Sequence, residues 1–145
     1  MTKEEFQKRV LIPIVSKQED NPDFLTEATR EFDEIILLAV IDKEDLVGQF
    51  GFVTSEIRTA TQLIEKIQAF LESQGKKTED LIEWGNTLHK IVQIAEIRKC
   101  DKIALAKQEN QHFKQLVKQI EENTNKKIEV FSITIPTPSK EHSPQ

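Results

Sequence analysis

Lys17 and Lys107 are the residues of this chain whose setting most plainly suggests chemistry. Each follows an apolar run that reads as a strand, Arg9-Val-Leu-Ile-Pro-Ile-Val15 and Asp101-Lys-Ile-Ala-Leu-Ala106. In an open parallel sheet, ligands bind outside the carboxyl ends of the strands, where the strand order reverses. Two ammonium groups at that point, with the Ser16 hydroxyl beside them, would take a phosphate or a carboxylate; the alternative is two solvated lysines in a lysine-rich protein. Gly48-Gln-Phe-Gly51 is the second candidate. Backbone amides there, ahead of a helix start near Thr54-Ser55-Glu56, suit an anion, and Glu56 would oppose one. The competing reading of that loop is exposed Phe50 and Phe52 packing locally or against a partner. Ser16, Lys17, Gly48, Gly51 and Lys107 therefore form the candidate ligand site.

Other chemistry finds little support. Gly75-Lys76-Lys77-Thr78 resembles the end of a phosphate loop, but the required upstream glycine is Phe70 and the segment leads from helix to strand, the reverse of the needed context. It reads as a helix end with solvated lysines. His89, His112 and His142 have no metal-ligand spacing among themselves or with Cys100, so no metal is expected. His89 lies at the start of a helix and reads as solvent-facing. Cys100, just before an apolar strand, reads as a small buried residue. Trp84 reads as a packing residue. No pair of acids is placed by sequence for acid–base work, and no catalytic residue is assigned.

The elements that must position these residues alternate. Asn21-Pro22-Asp23 opens a short helix with Leu25, Ala28 and Phe32 inward. Ile35 to Ile41 is apolar on both faces, as a parallel strand covered by helices requires. A loop over residues 43 to 53 leads into a long helix from about Ser55 to Ser73, striped by Ile57, Ala60, Ile64, Ile67 and Leu71 and ended by Gly75. Thr78 to Trp84 is a weaker strand. Asn86 caps a helix striped by Leu88, Ile91, Val92 and Ala95. Phe113, Leu116, Val117 and Ile120 stripe the helix after Ala106, and Ile128 to Ile135 makes a fifth, edge strand. Strand-helix alternation of this kind predicts an α/β fold, a doubly wound five-stranded parallel sheet with helices on both faces. Residues 1–135 read as one domain. Pro136, Pro138 and Pro144 mark residues 136–145 as a disordered tail.

Bulk properties narrow the classes. With 145 residues the chain can bury a full core without disulfide or metal. A formal net charge of −5 argues against nucleic acid as a partner. The longest apolar run, Ile35 to Ile41, is too short to span a membrane. A lone cysteine and a polar N-terminus without an apolar export segment point to the cytoplasm.

Placed in order, these segments resemble the universal stress protein family. Arg9-Val-Leu-Ile-Pro-Ile-Val15 is similar to the family's first strand, where an internal proline is common. Ile35 to Asp42, ending Ala-Val-Ile-Asp, resembles the second. Glu83-Trp-Gly-Asn86, Leu88 to Ala95 and Cys100 to Ala106 look like its third strand, third helix and fourth strand. The resemblance covers about residues 9 to 135. It implies an adenine-nucleotide alpha-hydrolase-like topology with strand order 3-2-1-4-5, stress-related regulation, and a homodimer through the fifth strand, here Ile128, Val130, Phe131, Ile133 and Ile135.

The departures carry equal weight. ATP-binding members resemble one another in an aspartate ending strand 1, and this strand ends Val15-Ser16-Lys17. They also share a Gly-x-x-Gly and a later Gly-Ser/Thr after strand 4. Matching by spacing puts Ala106, Glu109, Gln119 and Ile120 at those positions. Holding residues with a Cβ in left-handed geometry costs ~1–2 kcal/mol each, and each lost hydrogen bond to a charged phosphate forfeits about 1.5–3 kcal/mol. Together these turn micromolar binding into millimolar or worse. The expectation is a regulatory module without a cofactor and without catalysis, not binding ATP in the family's manner and acting through dimerisation and protein contacts. The competitor is a nucleotide- or anion-binding sensor using the non-glycine site between strands 1 and 4. An enzyme of similar topology would need a phosphate loop or a paired nucleophile and base.

Overall fold

The computed structural model describes residues 8–42, 51–125 and 127–135. Five strands, β1 (Arg9–Pro13), β2 (Glu34–Ile41), β3 (Lys77–Trp84), β4 (Lys102–Ala106) and β5 (Glu129–Ile133), alternate with α1 (Pro22–Ala28), α2 (Ile57–Ser73), α3 (Thr87–Ile97) and α4 (Gln111–Asn123). They form one parallel sheet in the order β3-β2-β1-β4-β5, the order that the resemblance implies. The proposed tail, residues 136–145, lies outside the described residues.

Handedness explains the layers. The chain moves one way from β1 to β3 and the other way from β3 to β5, so right-handed crossovers set α1 and α2 on one face and α3 and α4 on the other. Ile12, Ile14, Leu37 and Ile41 pack with Phe24, Ile64 and Leu71 on the first face. Leu11, Ile36 and Leu38 pack with Ile91, Phe113 and Ile120 on the second. Neighbouring residues of β1 and β2 thus feed opposite layers, which is why both strands are apolar after their first residues, Arg9 and Glu34. Among the described residues, no helix is long and apolar enough to cross a membrane.

Three helices start by the same device. Asn21, Asn86 and Asn110 accept from the backbone N–H of Phe24 (2.9 Å), His89 (3.0 Å) and Phe113 (2.8 Å), with Pro22 in the first turn of α1. α2 begins later than Ser55, because Thr54–Glu56 forms a 3-10 turn ahead of it. In α3 the buried set is Thr87, Ile91, Ile94 and Ala95; Leu88 and Val92 are half-buried, so the stripe is rotated from the expected one.

Three helices end on a left-handed residue, and of these only α2 uses glycine, Gly75 at φ +82. α3 uses Lys99 at φ 55, held by Lys99 N–H to Glu96 O (3.1 Å) and Cys100 N–H to Ala95 O (2.9 Å). Lys99→Gly relieves the Cβ clash, and the expected gain is ~1 kcal/mol, read as a higher urea midpoint with an unchanged slope. A loss of stability would show that Lys99 makes a compensating contact.

Candidate functional site

β1 and β4 pair only at Val10↔Lys102 and Leu11↔Ile103, whereas β1 follows β2 to Pro13↔Leu38 and β4 follows β5 to Ala106↔Ile133. The two central strands therefore part at their carboxyl ends, and this opening is the crevice in which such sheets bind ligands. Lys17 and Lys107 stand at its two sides, both exposed. Lys107 N–H donates to Ile133 O (2.9 Å), and its Nζ lies 3.9 Å from Glu109 Oε2. The fold thus brings both lysines to one end of the sheet, with side chains in solvent.

Ser16 is engaged within its own turn. Its backbone N–H (2.9 Å) and its hydroxyl (3.1 Å) both donate to Glu19 Oε1, and its oxygen accepts from Gln18 N–H (3.1 Å). Glu19 is 0% exposed, and its Oε2 has no hydrogen-bond partner among the described residues. Burial pushes this carboxyl up to about 7, against the opposing pull of the Ser16 N–H and hydroxyl. The sequence reading missed Glu19. The signal was Ser16-x-x-Glu19, the spacing of a capping box; here only its return half forms, and it closes a turn in place of a helix.

Gly48 lies outside the described residues; Gly51 is seen, at φ +89. A Cβ at Gly51 would sit 2.6 Å from Thr87 Oγ1 and 3.1 Å from Val40 O, so the glycine is there for close packing between β2 and α3. Its N–H donates to Val15 O (3.3 Å), so no anion is held by that amide. Glu56 accepts from Val53 N–H (2.9 Å) through Oε1, closing the turn before α2. Phe52, expected to be exposed, is 7% exposed and forms a parallel bridge with Ile41. Its N–H donates to Val40 O (3.0 Å) and its C=O accepts from Asp42 N–H (2.8 Å). Phe50 lies outside the described residues.

The remaining candidates are placed as follows. Cys100 is buried and its thiol is pushed up to about 12 by burial, which leaves almost no thiolate near neutrality. His89 is exposed, as expected. Trp84 is a correction: it is 49% exposed, since it ends an edge strand beyond the covering helices. Lys76 is another, for its Nζ donates to Thr29 O (2.9 Å) and Phe32 O (2.7 Å) instead of standing in solvent. On β5, Phe131, Ile133 and Ile135 are partly buried and Val130 half-buried, whereas Ile128 precedes the strand and is buried in its own core. Among the described residues, no group of three or more His, Cys, Asp or Glu could hold a metal.

No family model and no curated protein matches this sequence. Solved structures do. The hypothetical protein MJ0577 superposes with a TM-score of 0.66 at 22% identity, over 90% of this chain and 97% of that one. A universal stress protein from Archaeoglobus fulgidus gives 0.68 at 14% identity, over 87% and 93%. A universal stress protein family protein from Arabidopsis thaliana, solved with AMP bound, gives 0.61 at 16% identity, over 94% and 96%. The fold is that of the universal stress proteins.

Two outcomes follow from this geometry. Burial raises the Glu19 carboxyl from 4.5 to about 7, so the folded chain binds an extra proton between those values. The stability it contributes is full below the lower value and is lost as pH rises through the upper one, a fall of about 3 kcal/mol. In Glu19→Gln that segment of the pH profile of unfolding should be flat; an unchanged slope would mean Glu19 is not the group responsible. Gly51→Ala, with φ positive and a contact under 3 Å, should lower stability by about 2 kcal/mol or more, and a neutral result in chemical denaturation would contradict the close approach to Thr87.

Proposed function

We propose that this chain is a regulatory module of the universal stress protein type that does not take ATP in the family's manner and acts, without catalysis, through dimerisation and protein contacts. The carrying observation is Phe52. A base or ribose entering the crevice beside β2 would find both backbone groups that face it, Val40 C=O and Asp42 N–H, already spent on Phe52. No glycine follows β4 to cradle phosphates. A cytoplasmic setting suits the free buried thiol of Cys100.

The dimer reading rests on β5. Ile133 O accepts from Lys107 N–H, so the backbone of Glu129, Phe131 and Ile133 faces β4 and that of Val130 and Ser132 faces outward. Ser132 is exposed, and only Glu129 of the strand is charged. An unpaired edge of this kind favours pairing with a second copy. Ser132→Pro removes one outward N–H and leaves the β4 ladder whole. The wild type is expected to run as a dimer in native mass spectrometry and the variant as a folded monomer; a variant of unchanged mass would place the interface elsewhere.

The second reading, an anion or nucleotide sensor, is favoured by the two solvent-facing lysines at the switch point and by the AMP carried by the Arabidopsis thaliana neighbour. It requires that AMP or ATP raise the melting temperature and that Lys107→Ala abolish the rise. The first reading expects no shift at millimolar nucleotide and no nucleotide mass retained on the purified protein.

A further inference from the structure

The β1–β2 ladder contains a substitution of one segment for another. Its register sets Pro13 against Leu38, and Ile14 N–H continues it by donating to Leu38 O (2.7 Å). Carried on, the same register sets Ser16 opposite Ile41, with Ser16 N–H donating to Val40 O and Ser16 O accepting from Asp42 N–H. Those two groups of β2 are bonded, but to Phe52: Phe52 N–H donates to Val40 O, Asp42 N–H donates to Phe52 O, and the bridge partner of Ile41 is Phe52. Ser16 has been turned aside, its N–H and hydroxyl both held by Glu19 Oε1, and Val15 O is capped by Gly51 N–H. Phe52 thus sits between the end of β2 and the outgoing end of β1.

We propose that residues 14–19 and 51–53 form a strand-exchange device, in which Ser16 and Phe52 compete for one ladder position on β2 and the carboxylate of Glu19, by holding Ser16, decides for Phe52. The two arrangements make the same number of bonds to β2, so neither wins on the ladder alone. Seating Phe52 buries an aromatic ring in the α1–α2 layer of the core. Against this, seating Phe52 requires Glu19 to be enclosed with Oε2 unpartnered among the described residues, a cost that ends when Ser16 is released. Opposed terms of this kind make a packed element bistable instead of merely loose. The nearby charged groups leave the balance to these terms: Asp20 is paired with Lys66 of α2 at 3.0 Å, and Lys17 is exposed. In the alternative arrangement Ser16 replaces Phe52 at the β2 side of the switch-point crevice, so the device sets which residue faces that opening. This inference stands apart from the dimer reading and survives its failure.

The test is residue-resolved amide hydrogen exchange of the full chain. In Glu19→Ala the hold on Ser16 is gone. Phe52 N–H should exchange about tenfold or more faster than in the wild type, Ser16 N–H should remain protected, and Asp42 N–H should be unchanged, because it is bonded in either arrangement. Glu19→Gln keeps an acceptor for Ser16 and should behave as wild type. Phe52→Ala attacks the same balance from the other side and covers the case in which Glu19→Ala does not fold: residue 52 should lose protection while Asp42 keeps it. If Phe52 N–H stays protected in Glu19→Ala, or if Asp42 N–H loses protection together with residue 52 in either variant, no exchange occurs and the proposal is wrong.

Discussion

Every inward-facing backbone group of a buried parallel strand must find a partner, and at the carboxyl end of β2 that demand is met from outside its neighbour strand. β1 leaves the ladder after Ile14, and the unfilled carbonyl of Val40 and amide of Asp42 would be costly in a core of this density. Phe52 fills both. From that one insertion follow the close approach at Gly51, the turn before α2 closed by Glu56, and the diversion of β1 at Ser16. Glu19 is the necessary complement. An exit strand that does not pair must have its own first N–H satisfied, and a folded-back carboxylate does so.

The price of this arrangement is a buried acid in a chain that has little reason to bury one. Glu19 sits under the surface with one oxygen occupied twice and the other without a partner among the described residues. Such a group titrates near neutrality because water, its best solvent, has been removed. The result is a sheet end where a fully bonded backbone position and an incompletely satisfied carboxyl lie close together. That proximity distinguishes the crevice from the other end of the sheet, where Arg9 bonds Glu34 (2.6 Å) and Arg98 O (2.6 Å) and Arg98 bonds Glu79 (2.8 Å). There the charges of Arg9, Glu34, Arg98 and Glu79 are matched across the strand starts and tie neighbouring elements together.

How much of this was legible in the sequence depended on how local the cause was. The Asn-Pro start of α1, the Asn86 cap, the glycine ending α2 and the two-faced apolar run of β2 are set by neighbours within a turn or two, and each is found where the residues indicated. Alternation and handedness indicated the doubly wound parallel sheet, whereas the strand order came only from the resemblance to the universal stress proteins. Phe52 was not legible as a strand residue, because a single inserted position has no period to detect. Glu19 was masked by the absence of an apolar run after its capping-box spacing. Lys76 read as a surface lysine, although its ammonium reaches carbonyls at the end of α1, a contact between segments far apart in sequence. Trp84 read as a packing residue before the helix cap; its place at the last position of an edge strand leaves it exposed.

The two edges of the sheet differ in a way that bears on any assembly. β3 offers the longer edge, but Lys77, Glu79, Asp80 and Glu83 stand along it, with Glu79 tied to Arg98 and Glu83 to Lys90. Charge at such density, part of it held in ion pairs across the face, is how sheets discourage a second chain from adding to them. Burial, and then the nearby Glu72 and Glu65, raise the Asp80 carboxyl above its ordinary value, the mark of a crowded acidic face. β5 is shorter and carries a single acid, Glu129, which is neutralised by Lys102 at 3.4 Å. Lys102 also lies over the ring of Phe131, 5.4 Å from its centroid, so the charge nearest this edge is turned onto the strand's own face. An incoming strand at β3 would have to desolvate a row of charges, whereas one at β5 meets Val130 and Ser132 with Glu129 as the strand's one charged residue.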